Sequence, residues 1–276
     1  MIVTQTLALI RDTFREAMAR KIFWGLFGLS TAMILFFLLL LRIDVVEGGV
    51  ATMSLFGYES RRGMDVERMV RGVHGSIATF LYSFGLFLAL FASSGLVPSL
   101  LEPGRIELLL SKPVARWHLL LGRYLGNVLI VLANSAWLVG GVWLIFGIKT
   151  GVWTPQFLFA IFTTVFLFCV LLSVVFLMGV LFESAALATM VPVALMLISP
   201  ILAQERTVVK LLSSETARTV WRTLYQMLPK VFDIGRTTLQ LVRRETVESW
   251  DPFFSSALFG VAVLAVAVWR FERRDF

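Results

Sequence analysis

Residues 156–182 read QFLFAIFTTVFLFCVLLSVVFLMGVLF, a stretch without a charged side chain or a histidine. An α-helix rises about 1.5 Å per residue, so this stretch would be roughly 40 Å long as a helix. The hydrocarbon layer of a bilayer is about 30 Å thick, and about 20 apolar residues suffice to cross it. The stretch therefore predicts a membrane-spanning helix.

Five more windows of the same kind occur along the chain. They cover residues 22–41, 76–101, 124–148, 184–204 and 252–269. Together the six windows predict an all-α polytopic membrane protein, organised as one transmembrane domain over residues 1–276. The composition agrees, since 58% of the residues are hydrophobic and only 16% are charged, whereas soluble domains carry about a quarter charged residues. A mean hydropathy of +0.84 excludes a soluble enzyme.

Two details of the windows bear on the path of the chain. The windows 156–182 and 184–204 are so close in sequence that only a tight turn between antiparallel helices fits between them. Pro192 and Pro200 lie inside the second of these windows, and proline removes a backbone hydrogen bond from a helix interior. That helix is expected to be bent or broken.

A basic amphipathic segment precedes the first window. Its apolar positions are Leu7, Ile10, Phe14 and Met18, at steps of three and four residues. Arg11, Arg15 and Arg20 fall on the other side, so residues 1–21 predict an interfacial helix.

These arginines also indicate orientation, because positive charge flanking a span favours the cytoplasmic side. Six spans then place both termini in the cytoplasm, with outer loops at 42–75 and 205–251. The outer segments hold more Lys and Arg than the inner ones, 14 against 11, but long loops translocate largely regardless of charge. In residues 205–251, apolar residues recur at the spacing of one face of a helix. This pattern predicts short helices on the outer leaflet.

The windows hold no chemistry that could drive transport or catalysis. They contain no ionisable Asp, Glu, Lys, Arg or His, which ion-coupled pumps place at membrane depth. None of the 20 glycines is followed by lysine, so the phosphate-binding P-loop is absent from the sequence. Cys169 is the single cysteine, and His74 and His118 lie far apart in sequence, which disfavours a metal site. We expect no enzyme activity and no cofactor in this chain, so energy for uphill transport must come from a partner.

The net charge of +7 is interpreted as charge that flanks the spans at an anionic lipid surface. The aromatic residues lie inside the apolar runs and not beside the basic ones. We therefore expect contact with membrane lipid and no binding of nucleic acid.

The loop after the second window reads EPGRIELLLSKPVARWHLLLGRYLG over residues 102–126. Residues 105–111 predict a short amphipathic helix that ends before Pro113, giving a stiff, charged protrusion that could receive force from a partner. The same residues also fit an ordinary solvated loop in which Arg116 and Arg123 extend their charged ends to water.

This loop resembles the cytoplasmic loop of type-2 ATP-binding-cassette (ABC) permeases, in which an acid, a glycine, a leucine-rich turn, Ser-Lys-Pro-Val and an arginine precede a Gly-Arg-aromatic-Leu-Gly helix start. The stretches TFREAMARKIFW at 13–24 and LYQMLPKVFD at 224–233 are similar to the branch labelled multicopper-enzyme-maturation permeases.

The resemblance implies a half-transporter of an exporter in the cell inner membrane. Two such chains, identical or different, would form the pore, and each would rest on a separate ABC ATPase that holds ATP and Mg. The ATPase-coupling residues implied are Glu102, Gly104, Arg105, Glu107, Ser111, Lys112, Pro113 and Arg116, and the helix with Arg11, Arg15 and Arg20 would touch the ATPase as well. A non-transporting scaffold or anchoring subunit of a membrane complex is the alternative.

Overall fold

The computed structural model describes residues 11, 15–16, 18, 21–46, 50–55, 58–59, 64–101, 104, 115–204 and 214–274. We number its helices α1 to α10 and its strands β1 to β4 in chain order. The first part contains α1 (Lys21–Leu35) with a π-helical end (Phe36–Leu40), β1 (Leu41–Val46), β2 (Val50–Leu55), β3 (Tyr58–Glu59) and β4 (Met64–Asp65). Next come α2 (Val66–Phe80), a π-helical turn (Leu81–Gly85), α3 (Leu86–Ser93), α4 (Leu96–Leu100) and α5 (Arg116–Thr150). A 3₁₀ turn (Pro155–Leu158) then leads into α6 (Phe159–Phe182), followed by α7 (Ala185–Leu202), α8 (Glu215–Met227), α9 (Val231–Arg243) and α10 (Asp251–Glu272).

Among the described residues, five helical stretches are long and apolar enough to cross a membrane. They are Val66–Leu100, Arg116–Thr150, Pro155–Phe182, Ala185–Leu202 and Asp251–Glu272. The predicted first span corresponds to a shorter apolar helix, Phe23–Leu39. The chain is thus a multi-pass membrane protein built mainly from helices.

The helical stretch Val66–Leu100 begins ten residues, nearly three helical turns, before the uncharged window 76–101. Its helix starts at Val66, where the carboxylate of Asp65 accepts a hydrogen bond from the backbone N–H of Glu67 at 3.0 Å. The prediction that residues up to 75 form a loop is therefore wrong, and His74 lies fully buried inside a helix. The window missed this part because α2 is amphipathic, with charged residues on one side and a buried apolar face on the other.

A small antiparallel sheet fills part of the predicted outer loop 42–75. Strand β2 lies at its centre and pairs with β1, β3 and β4. The β1–β2 register joins Leu41 with Leu55 and Val46 with Val50. The sequence analysis did not foresee this sheet, which lies between two apolar helices in sequence.

Helix α6 lies at the centre of the bundle, and it packs against α5, α7, α9 and α10. Its sequence is apolar on every side, a pattern typical of a helix surrounded by others. Phe168 and Phe176 are fully buried within it. The surrounding helices instead expose large apolar side chains, such as Leu197 on α7 and Leu258 on α10, as expected for surfaces that face lipid.

The connection between α6 and α7 is the tight turn that the sequence predicts. Glu183 adopts a left-handed conformation with φ of 52°, and the hydroxyl of Ser184 accepts a hydrogen bond from the N–H of Leu187. Helix α7 then continues unbroken through Pro192 and Pro200, so the structure shows no break at either proline.

Close helix contact depends on glycine at several positions. A Cβ atom on Gly179 of α6 would lie 2.7 Å from Cβ of Val97, whereas one on Gly140 of α5 would meet nothing within 4 Å. Small residues of this kind let helix backbones approach closely in membranes.

We expect Gly179→Val to lower the thermal stability of the purified protein, because extra methyl groups in a packed interior cost about 1–3 kcal/mol. Gly140→Val is the matched control, since open space surrounds that position. Unfolding temperatures measured in the same detergent would test this, and equal temperatures for the two variants would contradict the packing assignment.

Candidate functional site

Several helix ends converge at one end of the bundle, which we call the basal face. It is defined by Ser99 in α4, Arg116 at the start of α5, Glu183 after α6 and Arg274 after α10. Polar contacts join these ends to one another and to Glu16 of the N-terminal segment. The basal face contains the described part of the predicted coupling region.

The first of these contacts is a buried ion pair. Nη1 of Arg123 lies 2.7 Å from Oε2 of Glu16, and the side chains of Arg123 and Glu16 are 3% and 16% exposed. The hydroxyl of Ser99 is shared between the other carboxylate oxygen at 3.4 Å and the carbonyl of Leu96 in its own helix at 3.2 Å. One carboxylate thus holds α4 and α5 to the N-terminal segment. The interpretation of Arg123 as extending to water is wrong, because an internal carboxylate pairs with it.

The second contact holds the chain after α10. Nη1 of Arg116 donates to the backbone carbonyls of Arg274 at 2.6 Å and Glu272 at 3.2 Å. Arg274 in turn donates to the carbonyl of Val180 at 2.8 Å and forms an ion pair with Glu183. The start of α5, the turn after α6 and the end of α10 are therefore connected.

The structure describes only part of the predicted coupling region. Gly104 is exposed and has φ of 81°, a conformation that glycine adopts readily. Arg11 and Arg15 are helical and exposed, as an interfacial helix requires. The remaining predicted residues lie outside the described part, namely Glu102, Arg105, Glu107, Ser111, Lys112, Pro113 and Arg20.

Sequence reasoning missed most partners in the basal face. Glu16 lies 107 positions from Arg123, and Arg274 lies 91 positions from Glu183. No local pattern predicts pairs so distant in sequence. The available signal was the charge inventory, because a carboxylate and an arginine beside apolar helices each require a partner.

The opposite end of the bundle has its own polar contacts. Nζ of Lys149 donates to the carbonyls of Phe37 and Leu38 at 3.0 and 2.7 Å, joining the end of α5 to the π-helical end of α1. Arg244, which follows α9, pairs with Glu67 of α2 at 3.1 Å. These contacts place the ends of α1 and α5 and the start of α2 at the side opposite the basal face.

The predicted helices of the segment 205–251 correspond to α8 and α9. Both are amphipathic; α9 packs into the bundle against α2 and α6, whereas α8 has no buried residue. The hydroxyl of Tyr225 donates to the carboxylate of Asp233 at 3.0 Å. Burial raises the pKa of Asp233 above its ordinary value, although this hydrogen bond and the charges of Lys230 and Arg236 act in the opposite direction.

The family model described as ABC-2 family transporter protein matches residues 7–276. The chain belongs to the ABC-2 transporter family. A search of curated proteins found no match. As a member of this family the chain is a permease subunit of an ABC transporter, and ABC-2 family permeases generally work with an ATPase partner.

We expect Glu16→Ala to lower the free energy of unfolding of this ABC-2 permease by about 3 kcal/mol, because it removes the carboxylate from a buried arginine. The double variant Glu16→Ala/Arg123→Met should recover much of that loss, since apolar groups often replace a buried pair without cost. Chemical unfolding in mixed micelles would measure both.

The matched control is Glu248→Ala, which breaks an ion pair with Arg236 whose side chains are 65% and 58% exposed. Exposed pairs contribute about 0–1 kcal/mol. Equal effects of Glu16→Ala and Glu248→Ala would contradict the importance of the buried pair.

Proposed function

We propose that this permease is the membrane half of an ABC exporter, in which two permease chains form the path and each binds a separate ATPase. The observation that carries the proposal is the match to the ABC-2 family over residues 7–276. ATP and Mg would be held by the ATPase, and the permease itself would not be an enzyme. The proposed location is the inner membrane, with both termini in the cytosol. The similarity to the multicopper-enzyme-maturation branch belongs to this proposal.

The basal face would receive the force of ATP hydrolysis. The proposed coupling loop, residues 102–114, joins α4 to α5, and Ser99 and Arg123 of these helices both contact Glu16. Beyond the loop, Arg116 donates to the carbonyl of Glu272 at the end of α10 and to that of Arg274 just after it. A push on this loop would therefore act on α4, on α5 and on the end of α10 together.

A sixth crossing by α1 is part of the proposal. The ring of Phe27 stacks on Trp137 with centroids 5.7 Å apart, and the carbonyl of Phe37 accepts from Lys149. Helix α1 thus follows α5 from the level of Trp137 to its end, in the same direction. With α1 counted, the six spans would alternate in direction, and the start of α1 and the end of α10 would lie on the basal side.

We expect Glu107→Lys to reduce coupling to the ATPase while the protein still accumulates in the membrane. Removing one partner of a charged pair at a subunit contact costs about 2–5 kcal/mol of binding, whereas solvated charges hardly affect folding. Co-purification of the ATPase and substrate-stimulated hydrolysis would be measured.

Glu248→Lys is the matched control, because it makes the same reversal at an exposed site on the proposed outer side. Normal assembly and stimulation in Glu107→Lys would return the loop to an ordinary solvated connection. Normal assembly of the parent protein without stimulation by any compound would instead favour the scaffold alternative. Arg116→Glu is less informative, since Arg116 also contacts the chain after α10.

The topology has its own test. In a Cys169→Ser background, a membrane-impermeant thiol reagent added outside should label Thr246→Cys and not Lys112→Cys, because the basic flank of the first span favours a cytosolic N-terminus. Opening the membrane should expose Lys112→Cys. Labelling of Lys112→Cys from outside in intact cells would overturn the orientation.

A further inference from the structure

A small cavity lies inside the helix bundle, between α1, the π-helical turn Leu81–Gly85, α5 and α6. Its wall is mostly apolar and includes Phe23 and Leu26 of α1. Three polar side chains also line it, Asn134 and Ser135 of α5 and Thr164 of α6. Nothing in the proposed coupling at the basal face uses this cavity.

Two of these polar side chains have unsatisfied atoms. Oδ1 of Asn134 and Oγ1 of Thr164 are buried, and neither has a hydrogen-bond partner among the described residues. Thr164 is only 2% exposed. The adjacent Thr163 differs, because its hydroxyl donates to the carbonyl of Phe159 at 3.1 Å. Buried polar atoms without partners destabilise a protein, and the hydrocarbon region supplies no water to satisfy them.

The cavity also lies at the far end of a row of polar residues on α5, which begins near the basal face. Arg123, Asn127 and Asn134 follow at steps of four and seven residues, which places them on one side of a helix. The amide of Asn127, on the basal side of the cavity, donates to the hydroxyl of Ser93 in α3 at 2.6 Å. Asn127 therefore has a hydrogen-bond partner on a neighbouring helix. Asn134 is the member of this row whose amide oxygen lacks a partner in the described structure.

The π-helical turn is a second feature of the wall. Leu81 and Gly85 line the cavity, and the N–H of Leu86 bonds to the carbonyl of Leu81, five residues earlier. Such wide turns within α-helices frequently occur at functional sites.

The size and chemistry of the cavity select its ligand. It has room for about two water-sized groups. The lining residues carry no charge, which disfavours an ion. A hydroxyl group is both donor and acceptor, so it can donate to Oδ1 of Asn134 and accept from the hydroxyl of Thr164. A methylene beside it would fill the apolar remainder.

We propose that this cavity binds the hydroxyl end of an uncharged amphiphile from the bilayer, between Asn134 and Thr164. The hydrocarbon chain of the amphiphile stays outside the cavity. The binding needs no ATPase, so it is measured on the permease alone and its outcome is separate from that of the transport proposal.

The test uses the full chain in nanodiscs of diacyl phosphatidylcholine, a lipid without a hydroxyl group. The probe is dodecanol with a photoreactive diazirine near its hydroxyl end, and mass spectrometry locates the adducts. We expect adducts on residues that line the cavity, displaced by unlabelled dodecanol but not by dodecyl methyl ether, which cannot donate a hydrogen bond. Thr164→Val and Asn134→Leu should each reduce capture about two- to tenfold, the range for losing one hydrogen bond.

Thr163→Val is the matched control, because it removes the neighbouring hydroxyl, which bonds within its own helix, and it should leave capture unchanged. Equal displacement by the alcohol and the ether in the parent protein would overturn the proposal, even if a variant failed to fold. Equal loss of capture in Thr163→Val and Thr164→Val would also overturn it. In either case the polar atoms of the cavity would be satisfied by water.

Discussion

The hydrocarbon of a bilayer offers no hydrogen bonds, so a polar group that enters it destabilises the protein unless it finds a hydrogen-bond partner there. This constraint accounts for the commonest side-chain contacts of the structure. Hydroxyls of Ser and Thr bond back to carbonyls of their own helices, as Thr31 does to Phe27 and Thr79 to Gly75. Where a helix ends, its last carbonyls need donors from elsewhere, and Lys149 supplies them at the π-helical end of α1. Satisfying polar groups therefore also joins neighbouring helices.

The lipid hydrocarbon also removes the hydrophobic effect as a reason for helices to associate, because lipid tails are as apolar as leucine. Association then depends on close packing and on hydrogen bonds between helices. Gly260 of α10 illustrates the first, because a Cβ there would lie 3.3 Å from the backbone of Val170 in α6. The hydroxyl of Tyr124 illustrates the second by donating to the carbonyl of Cys169 at 2.8 Å. Both contacts are made to α6, which explains why this apolar helix lies at the centre.

Hydropathy predicted the parts of the fold that face lipid or lie at the centre of the bundle. The windows for α5 and α10 fall inside the observed helices, and those for α6 and α7 match the observed ends to within three residues, because these helices are apolar for a whole membrane thickness. It failed where a helix has one buried face and one charged face, as at the start of α2. The sheet around β2 was also missed, because two of its four strands are only two residues long and no strand was sought between the apolar windows.

The candidate site was predictable only where it is local in sequence. The motif around Gly104 and Arg116 could be recognised from consecutive residues. The residues that surround this motif could not be recognised in this way, because Glu16, Glu183 and Arg274 reach the basal face from distant parts of the chain. Likewise, Asn134 and Thr164 look like ordinary polar residues within apolar runs. Only the packing of α1, α5 and α6 around them reveals that their polar atoms lack partners in the described structure.

The buried pair between Arg123 and Glu16 is a poor way to gain stability, since desolvation of the two charges opposes their attraction. The pair is, however, an effective way to fix the position of one helix relative to the other. Both oxygens of the Glu16 carboxylate are engaged, one by Arg123 in α5 and one by Ser99 in α4. A shift of either helix along the other would lengthen at least one of these bonds. The carboxylate therefore sets the relative height of α4 and α5, so a force on the proposed coupling loop between them would either move both helices together or break a buried charge pair.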